Sequence, residues 1–162
     1  MRTRSAATAL ACIGLLLIPS AQASEAAAAD TLHGVPVMPG GVISDERIVY
    51  EGGAVVVVPA LGIESFDSCL TGYVCLFANT SWQGTMVQFN SCCAWNNLSG
   101  YGFNETASSW RNRLSVDAQL AKNAGGAGDK LCLNNGSYAS SMPGGWDNSA
   151  SSIRVRDGSG YC

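Results

Sequence analysis

The sequence predicts an all-β, disulfide-stapled protein, and three observations support this. Short runs of β-branched and aromatic residues are separated by Gly, Asn and Ser. No segment has the 3.6-residue apolar periodicity of an amphipathic helix. Of the seven cysteines, six follow residue 23, and an even number behind an export signal indicates disulfides. A small core with few charged groups depends on such links, each of which contributes about 2–4 kcal/mol.

Residues 1–23 have the features of a signal peptide. Arg2 and Arg4 precede the apolar stretch 9–18, and 21–23 (Ala-Gln-Ala) is a small-x-small cleavage site. The apolar stretch is too short to cross a bilayer, so we expect a secreted, extracellular protein with no membrane partner. An uncleaved anchor is the alternative. Cleavage leaves seven Lys/Arg and twelve Asp/Glu, and without a basic face the protein is not expected to bind nucleic acid.

Residues 24–66 are expected to form a low-complexity linker or pro-segment. The stretch begins Ala-rich and acidic and continues with prolines and glycines. Inside it, two β-branched runs flank Gly52 and Gly53, which predicts a β-hairpin over 42–59. The valine run 55–58 does not alternate with polar residues. The hairpin therefore either docks on the core or belongs to a pro-region.

Residues 67–162 are expected to form the folded domain. The predicted strands lie at 73–77, 85–89, 110–116, 131–133 and 153–155. In the third of them, alternation points Trp110, Asn112 and Leu114 to one face and the arginines to the other. The Gly- and Ala-rich stretch 119–129 is interpreted as a connection between two halves.

An internal repeat supports the two halves. Residues 104–113 (NETASSWRNR) align without a gap with residues 147–156 (DNSASSIRVR), and the alanine, both serines and both arginines match. Each copy is a polar loop that continues into a strand with its arginines outward.

The cysteines and the single histidine leave little room for a zinc site or for catalysis. There is no C-x-x-C pair, and His33 lies in the expected linker, outside the cysteine region. The carboxylates belong to no recognisable catalytic motif, so the protein is not expected to be an enzyme. Six cysteines allow fifteen pairings, among which the residues alone do not choose.

Two kinds of motif make residues 67–162 resemble βγ-crystallin domains. The first corner motif is Phe77-x4-Trp82-x-Gly84, and a second, which has lost an aromatic residue and the glycine, is Leu133-x4-Tyr138-x-Ser140. The polar loop 147–152 matches the form (N/D)-(N/D)-x-x-(S/T)-Ser, and the loop 104–109 matches except for Glu105 at its second position. The resemblance implies a βγ-crystallin-like domain of two Greek-key motifs, the second with a reduced third strand.

A narrower resemblance concerns function. The Cys69-x5-Cys75 start and the stretch 97–104 (NLSGYGFN) are similar to secreted actinobacterial inhibitors of the Streptomyces metalloproteinase inhibitor family. This resemblance implies a Cys69–Cys75 disulfide. For the other four cysteines we favour Cys132–Cys162. Cys92 and Cys93 stay unassigned, because adjacent cysteines rarely pair in ordinary backbone geometry.

The βγ-crystallin resemblance also implies calcium as a cofactor, held between the two polar loops. The implied ligand region comprises Asn104, Glu105, Thr106, Ser108, Asp147, Asn148, Ser149 and Ser151. Side chains would come from the second and fifth positions of each loop and carbonyls from the third. Only Glu105 among the side-chain ligands is charged, so we expect modest affinity. Alternatively, the loops are Asx and Ser turns closed by local hydrogen bonds.

The expected function is inhibition of secreted proteases. Metallo-endopeptidases are the expected targets, and the protein is expected to act as a monomer through a rigid, disulfide-braced loop. Candidate loops are 134–146, with Tyr138 and Met142 exposed, and 91–98. For Tyr138 the alternative is a corner aromatic packed inward. The alternative function is a calcium-binding structural or cell-surface module, or an antifungal or toxin module, with no protease target.

Overall fold

The computed structural model describes residues 30–45, 47–57, 66–158 and 162. The expected signal peptide 1–23 lies outside these residues, as does the end of the predicted hairpin at 58–59. The strands are β1 (Thr31–Leu32), β2 (Val35–Pro36), β3 (Gly41–Ser44), β4 (Arg47–Tyr50), β5 (Val55–Val57), β6 (Val74–Asn79), β7 (Gln83–Phe89), β8 (Asn96–Asn97), β9 (Ser109–Asn112), β10 (Ala118–Ala121), β11 (Lys130–Leu133), β12 (Tyr138–Ala139) and β13 (Ser152–Val155).

The all-β prediction is confirmed, since the described residues contain no α-helix. Short 3-10 turns lie at Phe66–Ser68, Thr80–Trp82, Leu98–Tyr101 and Ala124–Gly126. No helix in the described part of the chain has the length and apolar character needed to cross a bilayer.

Two sheets form the domain. One has seven strands in the order β12-β9-β6-β7-β5-β4-β3, and the other has four in the order β11-β10-β13-β8. Leu76 and Val87 of the larger sheet and Leu120 and Ile153 of the smaller one are fully buried in a shared core. The remaining strands, β1 and β2, pair with each other.

Two Greek keys build these sheets by exchanging their third strands. The first key comprises β6 to β9, but its third strand β8 pairs with β13 of the second key. The second key comprises β10 to β13, and its third strand β12 pairs with β9 of the first. Each exchanged strand has only two residues. Each half therefore completes the sheet of the other half.

The interpretation of 119–129 as a connection is wrong. Residues Ala118–Ala121 form β10, which pairs on both sides, with β11 and with β13. All four residues are buried. Two alanines and a glutamine give a weak strand signal in the sequence. Hydrogen bonds to a neighbouring strand on each side hold β10 inside the smaller sheet, despite its weak strand propensity.

The position of the second corner is also corrected. The first corner lies between β6 and β7, where Ser81, Trp82 and Gly84 have positive φ. In the second half the same backbone path lies between β10 and β11, where Gly125, Gly126 and Gly128 have positive φ. The motif proposed at 133–140 is therefore not the corner. In the second corner, glycines occupy the positive-φ positions, where the first corner has Ser81 and the aromatic Trp82. Glycine is favoured at positive φ, so this corner lacks the aromatic residue by which the motif is recognised.

A tryptophan from the first half covers the glycine corner. A Cβ atom placed on Gly126 would lie 2.1 Å from the Trp95 ring, so only glycine allows this contact. The Arg154 guanidinium lies 4.9 Å from the centre of the same ring. The aromatic side chain that the second corner lacks is supplied from the segment before β8.

A serine at the end of each polar loop locks the corresponding corner. The Ser109 hydroxyl donates to the Asn79 carbonyl at 2.6 Å and accepts from the Trp82 N–H at 3.1 Å. Ser152 repeats this, since it donates to the Asn123 carbonyl at 2.6 Å and accepts from the Gly126 N–H at 3.0 Å. Both serines are fully buried, so each hydroxyl satisfies two backbone groups that water cannot reach.

The segment around the Gly52–Gly53 turn docks on the domain. Strands β3, β4 and β5 form an antiparallel meander, and β5 pairs with β7. Ile48 and Val56 are 0% and 1% exposed in the core, and Tyr50 meets Tyr101 edge-on at 4.9 Å. Of the two alternatives for the valine run, the described part is consistent with docking. The stretch before it also contains structure, in β1 and β2.

The structure pairs all six cysteines of the domain. The disulfides are Cys69–Cys75, Cys132–Cys162 and Cys92–Cys93. The resemblance implied the first of these pairs, and the second is the pair that we favoured. The third contradicts the expectation that adjacent cysteines would not pair. With the other four cysteines paired elsewhere, Cys92 and Cys93 close a small ring over their own peptide bond, at an exposed position after β7.

Replacing a core residue of the meander should destabilise the whole domain. We expect Ile48→Ala to lower the free energy of unfolding by about 2–5 kcal/mol, because it leaves a cavity in the shared core. Val42→Ala is the matched control, since Val42 is 66% exposed, and should change stability by less than about 0.5 kcal/mol. Urea unfolding followed by tryptophan fluorescence measures both. Equal stability of Ile48→Ala and wild type would contradict the docking.

Removing a corner-locking hydroxyl should also be costly. Ser152→Ala leaves the Asn123 carbonyl and the Gly126 N–H without their partner, and we expect a loss of about 1–3 kcal/mol. Ser149→Ala is the control, because that hydroxyl bonds only within its own exposed loop, to the Asp147 carbonyl. Thermal unfolding of the two variants should separate them. If both melt at the same temperature, the locking role is wrong.

Candidate functional site

The two polar loops lie side by side in a reciprocal arrangement. Glu105 and Asn148 stand at the same position in each loop, with φ of 53° and 51°. The Glu105 N–H donates to the Ala150 carbonyl at 2.9 Å, and the Asn148 N–H donates to the Ala107 carbonyl at 3.1 Å. Each loop therefore binds the backbone of the other. This juxtaposition follows from the exchange of β8 and β12, which brings equivalent parts of the two halves together.

The side chains that the sequence pointed to meet across this junction. The Ser108 hydroxyl lies 3.3 Å from Asn148 Oδ1, and the Ser151 hydroxyl lies 3.5 Å from Glu105 Oε1. The other four predicted residues form local contacts. Within the loops, the Thr106 hydroxyl donates to the Asn104 carbonyl at 2.9 Å, and the Ser149 hydroxyl donates to the Asp147 carbonyl at 3.0 Å.

The donor set fits a hard cation such as calcium. Calcium binds carboxylate, amide, hydroxyl and carbonyl oxygens at about 2.3–2.6 Å, so adjacent ligand oxygens lie about 3.4 Å apart. The two cross-loop separations are of that size. The pairs differ in charge, since Glu105 brings a carboxylate and Asn148 brings an amide. The same two contacts are also hydrogen bonds, as expected for the alternative in which the loops are closed without an ion.

A second group of possible metal ligands is not a metal centre. Asp117, Cys132 and Cys162 bring ligand atoms within 4.8 Å of one another. The two sulfurs are bonded to each other, so neither is a thiolate. The Asp117 carboxylate instead accepts from the Asn135 N–H at 2.9 Å and from the Cys162 N–H at 3.1 Å. It helps to hold residue 162 on the domain.

The candidate inhibitory residues Tyr138 and Met142 differ in exposure, and only Tyr138 is exposed as expected. Met142 is only 7% exposed and lies in the core, so its expected exposure is wrong. Tyr138 is 58% exposed and is not a corner aromatic packed inward. Its ring lies edge-on to Phe66 at 5.0 Å and to Trp82 at 5.9 Å. The 134–146 segment therefore offers only one of the two exposed side chains that we expected, that of Tyr138.

The other candidate segment, 91–98, has an exposed start. Ser91, Cys92, Cys93 and Ala94 are all exposed, and the disulfide lies at their centre. Cys92 forms a single parallel bridge with Val155 of β13. This contact holds the exposed turn against the smaller sheet.

The sequence analysis missed a third exposed loop, between Cys69 and Cys75. Both cysteines are fully buried, whereas Leu70 is 40% exposed and Thr71 and Gly72 are also exposed. The Cys-x5-Cys spacing was a signal for this loop, because a disulfide over so few residues must close a tight projection.

Comparison with known proteins finds a family match for part of the chain. Residues 63–121 match the model of a family described as peptidase inhibitor family I36. The resemblance expected from the sequence is confirmed over this part of the chain. The match covers the first Greek key and β10. No curated protein matches.

The chain is similar to several solved structures. A structure of the eye lens βγ-crystallin domain fold is 19% identical, covers 64% of this chain and 96% of its own, and has a TM-score of 0.51. The N-terminal domain of protein S is 31% identical over 51% of this chain and 93% of its own, with a TM-score of 0.45. A βγ-crystallin from Ciona intestinalis is 22% identical over 52% and 100%, with a TM-score of 0.45. The first of these shows the βγ-crystallin fold, which confirms the predicted architecture.

Proposed function

We propose that this chain, with its inhibitor-family match on a βγ-crystallin fold, is a secreted inhibitor of extracellular peptidases. The observation that carries the proposal is the family match over residues 63–121. The segment includes two exposed turns that contain or are closed by disulfides, at 69–75 and 91–94. As an inhibitor, the protein acts by binding and catalyses no reaction of its own.

Rigidity supports this proposal physically. A peptidase binds a substrate segment in its cleft and pays the cost of ordering it. A loop that is already held by a disulfide and a packed sheet avoids most of that cost, which favours tight binding. If a bond inside a disulfide-closed loop is cut, the new ends stay joined and near each other. The cut product therefore leaves the cleft slowly.

We propose metallo-endopeptidases of the thermolysin type as the targets and a monomer as the active form. Such enzymes prefer an apolar side chain next to the bond that they cut. Among the described residues, the large apolar side chains that are exposed are Val42, Ile43, Val49, Leu70 and Tyr138. The protein therefore has apolar side chains available for such a pocket.

The inhibitor proposal predicts stoichiometric inhibition. The purified secreted protein is titrated into fixed amounts of metallo-, serine and cysteine endopeptidases, and residual activity is measured on a peptide substrate. We expect activity to fall linearly to an end point near one inhibitor per enzyme for at least one metallo-endopeptidase. A reduced and alkylated sample is the control, and it should not inhibit because the bracing is lost. If no enzyme in the panel is inhibited, the proposal fails.

A second candidate function, calcium binding, is favoured by the cross-loop oxygen pairs. Glu105 with Ser151 and Asn148 with Ser108 would hold the ion, together with loop carbonyls. A bound cation would tie the two halves together, because each pair takes one side chain from each loop. This role is compatible with inhibition, and without a target it would make the protein a calcium-stabilised module.

Calcium should raise the melting temperature through the Glu105 pair. At a concentration about one hundred times its dissociation constant, a ligand of the folded state adds about 2.7 kcal/mol of stability. Glu105→Gln should remove most of the shift, since it removes the only charged side chain of the set, and Asn148→Asp should enlarge it. Calorimetric titration and melting in millimolar calcium or in chelator measure this. No heat and no shift in wild type would leave only the hydrogen-bonded turns.

A further inference from the structure

We infer that the loop between Cys69 and Cys75 is the segment that enters the peptidase cleft, with Leu70 as the side chain that fills an apolar substrate pocket. This inference rests on the proposed inhibitory function and assigns its contact residue. Four features of the described residues support it: the position of Leu70 in the chain, the shape of the loop tip, the rigidity of its base and the use of two arginines.

Position is the first feature. Of the five large apolar side chains exposed in the described residues, Leu70 alone lies within residues 63–121, the segment that matches the inhibitor family. Val42, Ile43 and Val49 lie before that segment, and Tyr138 lies after it. An exposed apolar side chain is common on protein surfaces and by itself carries no function. The coincidence of exposure with the inhibitor segment singles out Leu70.

The loop tip is open to solvent. Leu70, Thr71 and Gly72 are successive exposed residues. Gly72 has φ of +84°, and a Cβ atom placed on it would meet no atom within 4 Å. The turn is closed by the Tyr73 N–H, which donates to the Leu70 carbonyl at 3.2 Å. The tip thus projects without side-chain cover, as a segment that enters a cleft must. The five residues between the cysteines carry no charge, which suits an apolar pocket.

The base of the loop is rigid. The Cys69–Cys75 disulfide is completely buried, with its Cα atoms 5.8 Å apart. Cys75 lies in β6, between Gln88 of β7 and Arg111 of β9. The sulfurs pack with Phe77 and Met86 in a small cluster separate from the main core. The loop is therefore anchored to the centre of the larger sheet.

The first pair of repeated arginines supports the loop. Arg113 Nη1 donates to the Cys69 carbonyl at 2.6 Å. The backbone of Arg113 also accepts from the Gly72 N–H at 3.0 Å and donates to the Tyr73 carbonyl at 2.8 Å. Arg111 Nη1 donates to the Phe66 carbonyl at 2.5 Å, just before the loop. Both arginines are partly buried rather than freely outward, and their role here is to position loop backbone.

The second arginine pair provides a contrast inside the same molecule. Arg154 Nη2 donates to the Gln119 side chain at 3.0 Å and its guanidinium lies over Trp95. Arg156 is the counterpart of Arg113 in the repeat, and its backbone N–H donates to the Asp117 carbonyl at 2.9 Å. In the part of the chain that the structure describes, the exposed disulfide beside this pair is that of the Cys92–Cys93 turn, since Cys93 lines a small cavity with Arg154 and Arg156. Arg156 is thus a matched control for Arg113.

The first experiment measures inhibition constants of the full secreted protein against thermolysin and any other endopeptidase that wild type inhibits. We expect Leu70→Ser to weaken inhibition by about 30-fold or more, as for a contact residue at the centre of an interface. Leu70→Met should retain most of it. Val42→Ser, an exposed site outside the inhibitor segment, should match wild type. Each variant is melted to show that it is folded.

The outcomes separate the two claims. If wild type inhibits and Leu70→Ser inhibits equally well, the assignment of Leu70 is overturned while the inhibitory function stands. If wild type inhibits no endopeptidase, the function and the assignment fall together. Hydrogen exchange on the wild-type complex gives an independent check. It should show slowed exchange at residues 70–73, and slowed exchange only at 91–94 or near Tyr138 would also overturn the assignment.

The second experiment tests the positioning role of Arg113. The protein is incubated with active peptidase, reduced, and examined by mass spectrometry for cleavage between residues 69 and 75. We expect Arg113→Ala to be cut at least about tenfold faster than wild type, because a loosened loop adapts to the cleft as a substrate does. Arg113→Lys should be intermediate, and Arg156→Ala should resemble wild type. Equal rates for Arg113→Ala and Arg156→Ala would remove the positioning role.

Discussion

The exchange of the third strands is the constraint on which the rest of the molecule depends. Because β8 lies at the edge of the smaller sheet and β12 at the edge of the larger one, each half contributes a strand to the sheet of the other. The exchange places the loops 104–109 and 147–152 together, and each then binds the backbone of its neighbour. The buried Ser109 and Ser152 end these loops, and each locks the corner of its own half. The paired loops and the shared core therefore join two halves whose corners are closed from within.

The two halves keep the same backbone and use it differently. In the first half the corner carries Trp82, and its arginines lie under a disulfide-closed loop. In the second half the corner is made of glycines, and Trp95 from the first half covers it. In the second half, β13 pairs with β8 and also contacts the exposed turn at Cys92. The proposed binding loop would thus belong to the first half, while the second half packs against it.

Strands with several large apolar residues could be predicted from the sequence, whereas the alanine-containing strand β10 could not. The strands near 73–77, 85–89 and 153–155 carried a clear signal and are present with bounds shifted by a few residues. The strand β10, with two alanines and a glutamine, gave none, because pairing with two neighbours rather than its own propensity holds it in place. The repeat at 104–113 and 147–156 identified the two equivalent loops, whereas the meeting of their side-chain oxygens was implied only by the βγ-crystallin resemblance.

Other features depend on tertiary packing that a linear pattern does not contain. Met142 looked exposed because it stands among Gly and Ser, yet its backbone N–H donates to the Ser108 carbonyl and its side chain enters the core. The pairing of Cys92 with Cys93 is evident only from the structure, in which the other four cysteines are bonded to one another. The exposure of Leu70 likewise depends on how the sheet holds the Cys69–Cys75 bridge, which spacing alone did not reveal.

One short strand joins the two candidate sites. The loop 104–109 runs directly into β9, and β9 carries Arg111 and leads to Arg113, the residues that hold the Leu70 loop. The Ser108 N–H also donates to the Phe77 carbonyl of β6 at 2.9 Å. A cation held by the paired loops would therefore stiffen the start of β9 without touching the loop tip. Calcium binding and inhibition are thus physically compatible: the first would act on the stability of the framework, and the second on the segment which that framework presents.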